Sequence, residues 1–446
     1  MTSAYPLICH ERFESILALG AAGPIRVDQF LRDAAGLAER LPAHRHPVNL
    51  CVDRYRFTVA LAAALLRDQV TLLPPSESAG VITDIAGQFE GAYLLHDRAA
   101  PNVAVPTMLY PAALQPAAEI ASIPFIPADQ TAIVLFTSGS TGRPTSHSKS
   151  WGSLVRSAWA AGRALGVATL RGATVLGTVP QQHSYGFEST IMLALQHGLA
   201  LHHARPFFPA DIAATIAATP RPRILVTSPI HLRAILADAA RLPAVDLVVS
   251  ATAPLSQDLA RKAERAFSAP LLEIYGCSEA GQLATRRTAE GDEWQCLEGL
   301  ALRADVGGSF VAGESIDGEV LLSDVIELRA PGRFYLHGRT ADLVNIAGKR
   351  TSLAHLNHHL NAIDGVRDGV FVVPEDGDET IQRLIAVVVA PGLSADAIMA
   401  ALRQRIDPAF LPRPLRIVDA LPRNPLGKLT REATLRAAGL DRDGSS

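Results

Sequence analysis

Cysteine is scarce in this chain and scattered. Four occur in 446 residues, at Cys9, Cys51, Cys277 and Cys296, with no Cys-x-x-Cys pair. Neither a disulfide framework nor a zinc site is indicated, and reduced thiols in a cytoplasmic protein are expected. Excess charge is lacking as well. Charged residues make up 19% and the formal net charge is −3, which leaves no electrostatic footprint for nucleic acid or an anionic membrane surface. Long apolar runs are missing too: "VALAAALL", Val59 to Leu66, is too short to span a bilayer. The opening stretch "MTSAYPLICHERFES" has no basic segment followed by an apolar one, so no leader is expected. Neither the Gly-x-x-x-x-Gly-Lys-Ser/Thr loop nor Gly-x-Gly-x-x-Gly is found, and no repeat of fixed period.

What is present is a hydrophobic fraction of 48% in a chain long enough for two or three domains. Apolar, β-rich runs such as "VTLLPP", "TAIVLFT", "TVLGTVP", "RILVTSP" and "DLVVSA" alternate with Ala/Leu-rich stretches of helical period, "RFTVALAAALLRD" and "IHLRAILADAARL". That alternation predicts an α/β fold, with layered, parallel-rich sheets covered by helices. From about Asp305 short strand-like pieces separated by glycines predict a small β-rich unit. After Gly338-Arg339 the pattern becomes α+β: "LAHLNHHLNAI" and "ADAIMAALRQRI" as helices, "DGVFVVPE" and "IAVVVAP" as strands. A boundary near Thr340 is expected, giving a large domain over 1–339 and a small one over 340–446.

The most informative stretch is "LFTSGSTGRPTSHSKSW", Leu135 to Trp151. A strand running into Thr-Ser-Gly-Ser-Thr-Gly can turn successive N–H groups and hydroxyls toward one anion, because glycine admits positive φ and lets a ligand approach the main chain. Phosphate oxygens are the natural guest.

With its Thr-Ser-Gly-Ser-Thr-Gly-Arg-Pro order, this loop resembles the phosphate loop of the adenylate-forming superfamily, which includes acyl- and aryl-CoA synthetases, peptide-synthetase adenylation domains and luciferases. Further stretches resemble that family in the right order: "PQQHSYGFE" (Pro180 to Glu188), "SATAPLS" (Ser250 to Ser256), "IYGCSEAG" (Ile274 to Gly281), "SDVIELRAPGRFYLHGRTADLVNIAGKRTSL" (Ser323 to Leu353) and "PRNPLGKLTRE" (Pro422 to Glu432). The resemblance implies ATP and Mg²⁺, a small carboxylic acid, and CoA or an acyl carrier protein as thiol acceptor. It implies that a carboxylate attacks the α-phosphorus of ATP and expels pyrophosphate, after which a mobile small domain rotates and a pantetheine thiol takes the acyl group. Both partners in the first step are anionic, so cations and donors must neutralise charge and align the attack.

Roles follow residue by residue. Lys428 is placed between the acid's carboxylate and the α-phosphate. Glu279 would hold Mg²⁺ as a hard oxygen ligand, and Ser278 would donate to the α-phosphate where threonine is usual. The phosphate loop is Thr137, Ser138, Gly139, Ser140, Thr141 and Gly142. Asp324 and Arg339 would serve the ribose, Tyr275 would stack on adenine, and the Ala253-Pro254 main chain would read the base edge. His183, Tyr185, Gly186 and Gly276 are assigned to the acid.

This chain departs from the pattern in several places. Thr145 stands where the loop lysine is usual, and the nearest cation along the chain is Lys149; if the segment is extended, residues 145, 147 and 149 face one way. Lys149 would then reach the β- and γ-phosphates, and its competing reading is a solvated lysine before a helix starting near Trp151. Ser323, Asn345 and Ala341 also replace residues common in the hinge region. Where amino-acid-activating relatives carry an aspartate, this chain has Tyr185, so an aromatic or acyl acid is expected. The segment "GRPTSHSKSW" looks most like free-standing ligases of the aryl-polyene and xanthomonadin type. Two other readings compete: a non-catalytic adenylate-binding relative, and a metal-dependent hydrolase using histidines such as His355 and His358.

Overall fold

The computed structural model describes residues 3–43, 46–114, 121–138, 144–238, 242–305, 308–339, 343–346, 349–373, 384–423, 429, 431–437 and 439. The chain forms two compact units. The first holds Met1–Leu302 and Phe310–Val320, the second Arg303–Ser309 and Leu321–Ser446. They part earlier along the chain than Thr340.

Two sheets build the first unit. In the smaller, strands are ordered Pro144–Ser150, Thr131–Ser138, Thr71–Leu73, His46–Asn49, Ala92–His96, Thr107–Leu109, parallel except for the antiparallel first pair. In the larger, Leu271–Cys277, Leu247–Ser250, Arg223–Thr227, Thr174–Gly177, Ala200–His202 and Ile16–Gly20 run parallel, with antiparallel strands added at both sides. Parallel strands covered on both faces read as continuous apolar runs, which is why "RILVT" and "LVVS" are buried at every position.

The helix Arg54–Leu66 starts where the Asp53 side chain accepts from Arg56 N, and it is buried nearly all round. A helix apolar on every side belongs inside a large core. Phe57, fully buried against Phe187, makes the point testable, since its loss to alanine costs on the order of 3–5 kcal/mol. Ser150 caps the next relevant helix, Trp151–Ala164, by accepting from Ser153 N, and Ser256 caps Gln257–Phe267 by accepting from Leu259 N.

The second unit has its own core, with Leu356 and Leu360 of the helix Leu353–Asn361, Phe371 and Val388 of neighbouring strands, and Ile398 and Leu402 of the helix Ala395–Arg403. Its sheet orders Asp368–Val372, Ile385–Val389 and Leu415–Ile417. The two helices and the first two strands fall where the periodicity predicts them, and Leu415–Ile417 is a strand in a stretch for which none was expected.

Candidate active site

Strand Thr131–Ser138 leads into the glycine-rich loop, and Pro144–Ser150 returns antiparallel to it, pairing Thr145 with Thr137, His147 with Leu135 and Lys149 with Ile133. Gly139, Ser140, Thr141 and Gly142 lie outside the described residues, and of Ser138 only the strand position is described. The flanks are informative. Thr137 Oγ1 is 3.1 Å from His147 Nε2, and His147 Nε2 is 4.0 Å from Glu279 Oε1. Two residues on, Lys149 is buried and its Nζ donates to the main-chain carbonyl of Glu279 at 2.5 Å. The helix does begin at Trp151, but Lys149 is not a solvated lysine. Burial, opposed by Glu279 and reinforced by Lys149, lowers the His147 pKa.

Glu279 lies in the turn between strands Leu271–Cys277 and Gly281–Arg286, where Cys277 pairs with Gly281. The turn is tight. A Cβ on Gly276 would sit 2.3 Å from the Gly281 carbonyl oxygen, and Gly281 itself has φ +81°, so both positions require glycine. The Glu279 side chain is 44% exposed while its carbonyl is held from behind, and Ser278 is half-buried beside it. Burial first, and Glu279 next, push the Cys277 thiol up to about 12, so it is an inert neighbour and not a nucleophile. Tyr275 is buried with its ring 5.7 Å from that of Trp294. The Arg286 guanidinium covers Trp294 at 4.3 Å and pairs with the buried Glu273 at 2.7 Å.

On the neighbouring parallel strand, Leu247–Ser250 opens into the Ala253-Pro254 loop. Thr252 there has φ +81° and an exposed side chain. A β-branched residue in the left-handed region costs about 1–2 kcal/mol. Nothing in "SATAPLS" signals it, because the residue type usual for such a backbone is glycine.

The acid segment folds back on itself. A Cβ on Gly186 would lie 1.9 Å from the Pro180 carbonyl oxygen, so no other residue fits there. The single hydroxyl proton of Tyr185 is shared between the carbonyls of Thr227 and Val249, each 3.0 Å from the oxygen. Thr227 is the last residue of its strand and Val249 the last but one of the adjacent parallel strand, at the side of an α/β sheet where ligands bind. His183 is half-buried. Behind the segment, Gln181 Nε2 donates to the carbonyls of Cys51 and Val52. Sequence reasoning assigned no role to Glu188, although an acid inside the apolar run "FESTIMLAL" was a usable signal. It is buried and accepts three hydrogen bonds.

Thr137, Lys149, Ser278 and Glu279 are thus brought together, with Gly276 at the base of the same turn. Tyr185, Gly186 and His183 form a second group beside the strand ends that also lead to Ala253 and Pro254. In the second unit, Asp324 opens strand Asp324–Ala330 and is the cross-strand partner of Arg339 on Arg333–Arg339, so the two expected ribose residues are neighbours in one ladder. The Arg339 side chain and Lys428 lie outside the described residues. His355 and His359 rings touch, centroids 4.6 Å apart, and the side chain of His358 is not described. Among the described residues no group of three or more His, Cys, Asp or Glu could hold a metal ion.

A sequence profile of the AMP-binding enzyme family matches residues 55–303. The chain belongs to the AMP-binding enzyme family. A profile of the AMP-binding enzyme C-terminal domain matches residues 360–428. Among curated relatives, a 4-coumarate–CoA ligase of Rhodobacter capsulatus is 32% identical over 314 residues, covering 69% of this chain and 76% of the relative. Among solved structures, ATP-bound MatB from Rhodopseudomonas palustris superposes with a TM-score of 0.80 at 19% identity, covering 97% of each chain. The o-succinylbenzoate coenzyme A synthetase of Bacillus subtilis, in complex with ATP and magnesium ion, gives 0.79 at 18% identity over 94% of this chain and 96% of that one. At these identities the two structures establish the AMP-binding enzyme fold.

Proposed function

We propose that this AMP-binding enzyme activates a small aromatic or acyl carboxylic acid with ATP, releasing pyrophosphate, and passes the acyl group to the pantetheine thiol of CoA or an acyl carrier protein. The observation that carries this reading is the convergence on Glu279 of Lys149 and of His147, itself bonded to Thr137, from the strands flanking the phosphate loop. A buried ammonium that uses one donor on a carbonyl has others left for an anion, and burial makes its charge act at closer to full strength. Lys149 therefore replaces the loop lysine missing at Thr145, approaching the β- and γ-phosphates from the strand.

In the first step an oxygen of the acid attacks the α-phosphorus of ATP and the bond to the bridging pyrophosphate oxygen breaks. Thr137 and the loop residues Ser138 to Gly142 hold phosphate oxygens, Ser278 donates to the α-phosphate, and Lys428 is assigned by its motif to the acid's carboxylate and the α-phosphate. The exposed carboxyl of Glu279, fixed through its own carbonyl, is a hard oxygen donor suited to Mg²⁺, which would supply charge neutralisation on the phosphates. Asp324 and Arg339 hold the ribose, the Ala253-Pro254 main chain reads the adenine edge, and Tyr275, beside Trp294, stacks on adenine. Tyr185, Gly186, His183 and Gly276 shape the acid pocket. No carboxyl at position 185 meets an ammonium group, and the 4-coumarate ligase relative supports an aryl acid. In the second step the thiol sulfur attacks the acyl carbon and AMP leaves. The reaction belongs in the cytoplasm, where ATP and reduced thiols coexist; no described helix is long and apolar enough to cross a membrane. The functional division into 1–339 and 340–446 is kept as part of this proposal, while the compact units part earlier, between Val320 and Leu321.

The test is acid-dependent ATP–pyrophosphate exchange across benzoates, cinnamates and fatty acids, followed by thioester formation with CoA and with phosphopantetheinylated carrier protein. Exchange with at least one acid supports the reading. Nucleotide binding without exchange for any acid would turn it into the non-catalytic alternative.

A further inference from the structure

Glu188 sits in a π-helical turn, Phe187–Met192, a rare widening of the helix that recurs at functional sites. It is only 5% exposed. Its Oε1 accepts from Ser184 Oγ at 2.8 Å, and its Oε2 accepts from Ser157 Oγ at 3.2 Å and from Gln282 N at 3.2 Å. No lysine or arginine pairs with it among the described residues. A buried acid of this kind is costly unless each oxygen is satisfied, and here the satisfying groups come from three separate segments.

Each of those segments carries part of the proposed site. Ser184 lies between His183 and Tyr185. Gln282 follows the Glu279 turn, and Ser157 is on the helix that continues from Lys149. A Cβ on Gly281 would come within 3.1 Å of Oε2, so the turn is closed down onto the acid. A second bond, Gln282 Nε2 to Ser189 Oγ at 2.9 Å, joins the same two segments one residue further on.

We propose that Glu188 is a positioning residue which locks the acid-binding segment to the turn bearing Glu279, so that the acid's approach and the metal carboxyl are set by one group. The inference rests on the acid-activation reading and adds a residue to it. Loss of the lock lets both segments relax, and the defect appears in acid and in Mg²⁺ together. Net charge is not what the lock needs. In Glu188→Gln, the amide oxygen can accept from Ser157 and Gln282 N while the amide nitrogen donates to Ser184 Oγ, so the number of bonds is kept.

The experiment compares wild type, Glu188→Ala, Glu188→Gln and Ile216→Ala in pyrophosphate exchange, using whichever acid of the panel the wild type takes best. Ile216→Ala hollows a separate core cluster and controls for lost stability. Glu188→Ala should raise both the acid KM and the Mg²⁺ concentration for half-maximal rate about tenfold or more, the scale of losing a partner that orients a metal ligand. Glu188→Gln should stay within about threefold of wild type, and Ile216→Ala should lower Tm without moving either constant. The lock is overturned if Glu188→Ala lowers Tm alone, if only one of the two constants moves, or if Glu188→Gln is as impaired as the alanine variant. A wild type that exchanges with no acid overturns the functional reading, and the lock is then judged by the Mg²⁺ dependence of ATP binding, which Glu188→Ala should weaken and Glu188→Gln and Ile216→Ala should not; an unchanged dependence in Glu188→Ala overturns it.

Discussion

The side-chain nitrogen of Lys149 lies 2.5 Å from the main-chain oxygen of Glu279, so a strand leaving the phosphate loop grips the turn that carries the proposed metal ligand. Lys149→Met keeps an apolar stem in the buried site and removes the charge. The KM for ATP should rise about tenfold or more, the scale of one lost charge-assisted contact, while thiolation from a supplied acyl-adenylate is spared. Restoring a cation on the same face with a second change, Thr145→Lys, should recover part of the loss. Unchanged ATP use in Lys149→Met would leave the phosphates to backbone amides and hydroxyls.

Tyr185→Phe isolates a hydroxyl that serves the scaffold. Its loss leaves the Thr227 and Val249 carbonyls without that donor, a cost of about 1–3 kcal/mol. Thermal denaturation should register this, with the acid KM changed little because the hydroxyl is already committed to the strands. A large KM rise at constant Tm would mean that the hydroxyl reads the acid.

Gly186→Ala tests a contact with no room in it. With backbone oxygen 1.9 Å from the added carbon, the acid segment must move, at a cost of about 2–3 kcal/mol. Acid-dependent exchange should collapse while ATP binding, followed by calorimetry, persists. Normal exchange by this variant would exclude the described path of the Pro180–Phe187 segment.

His10 gives the fold a pH limit. It is 5% exposed, its Nε2 lies 3.2 Å from the Leu199 carbonyl oxygen, and its Nδ1 has no partner among the described residues. Burial lowers its pKa to about 4. In the unfolded chain a histidine titrates near 6.5, so between those values the unfolded state binds more protons. Stability is complete above about pH 6.5 and falls as pH drops toward 4, by on the order of 3 kcal/mol from this residue. Scanning Tm from pH 7 to 4.5 should show the decline, and His10→Gln should flatten it. An equal slope in the variant would assign the decline to other groups, such as His202, also lowered to about 4 by burial and by His203.

Much of this was legible in the sequence, and the reason is local. The strands at "RILVT" and "LVVS" and the helices at "LAHLNHHLN" and "ADAIMAALR" declare themselves by period. Alternation correctly put His147 and Lys149 on one face, but nothing in the order of residues shows that this face meets Glu279, 130 positions later. Glu188 and Tyr185 illustrate the same limit. Apart from Ser184, four residues before Glu188, their partners come from distant segments, so their roles depend on tertiary placement. Thr252 fails for a different reason: its backbone contradicts its own residue type.

Arg54 carries a last consequence. Its guanidinium is wholly enclosed, donating to the carbonyls of His202 and Ala204 through one nitrogen and of Gly177 and Val179 through another, and burial lowers its pKa to about 9. Those acceptors sit at or just beyond the ends of two adjacent parallel strands, Thr174–Gly177 and Ala200–His202. Until both strands are in register, the cation has nowhere dry to go, and any slipped pairing leaves it buried and unanswered at a cost of several kcal/mol. Arg54 thereby favours the in-register pairing of these two strands over slipped ones, because only in register are both of its terminal nitrogens answered.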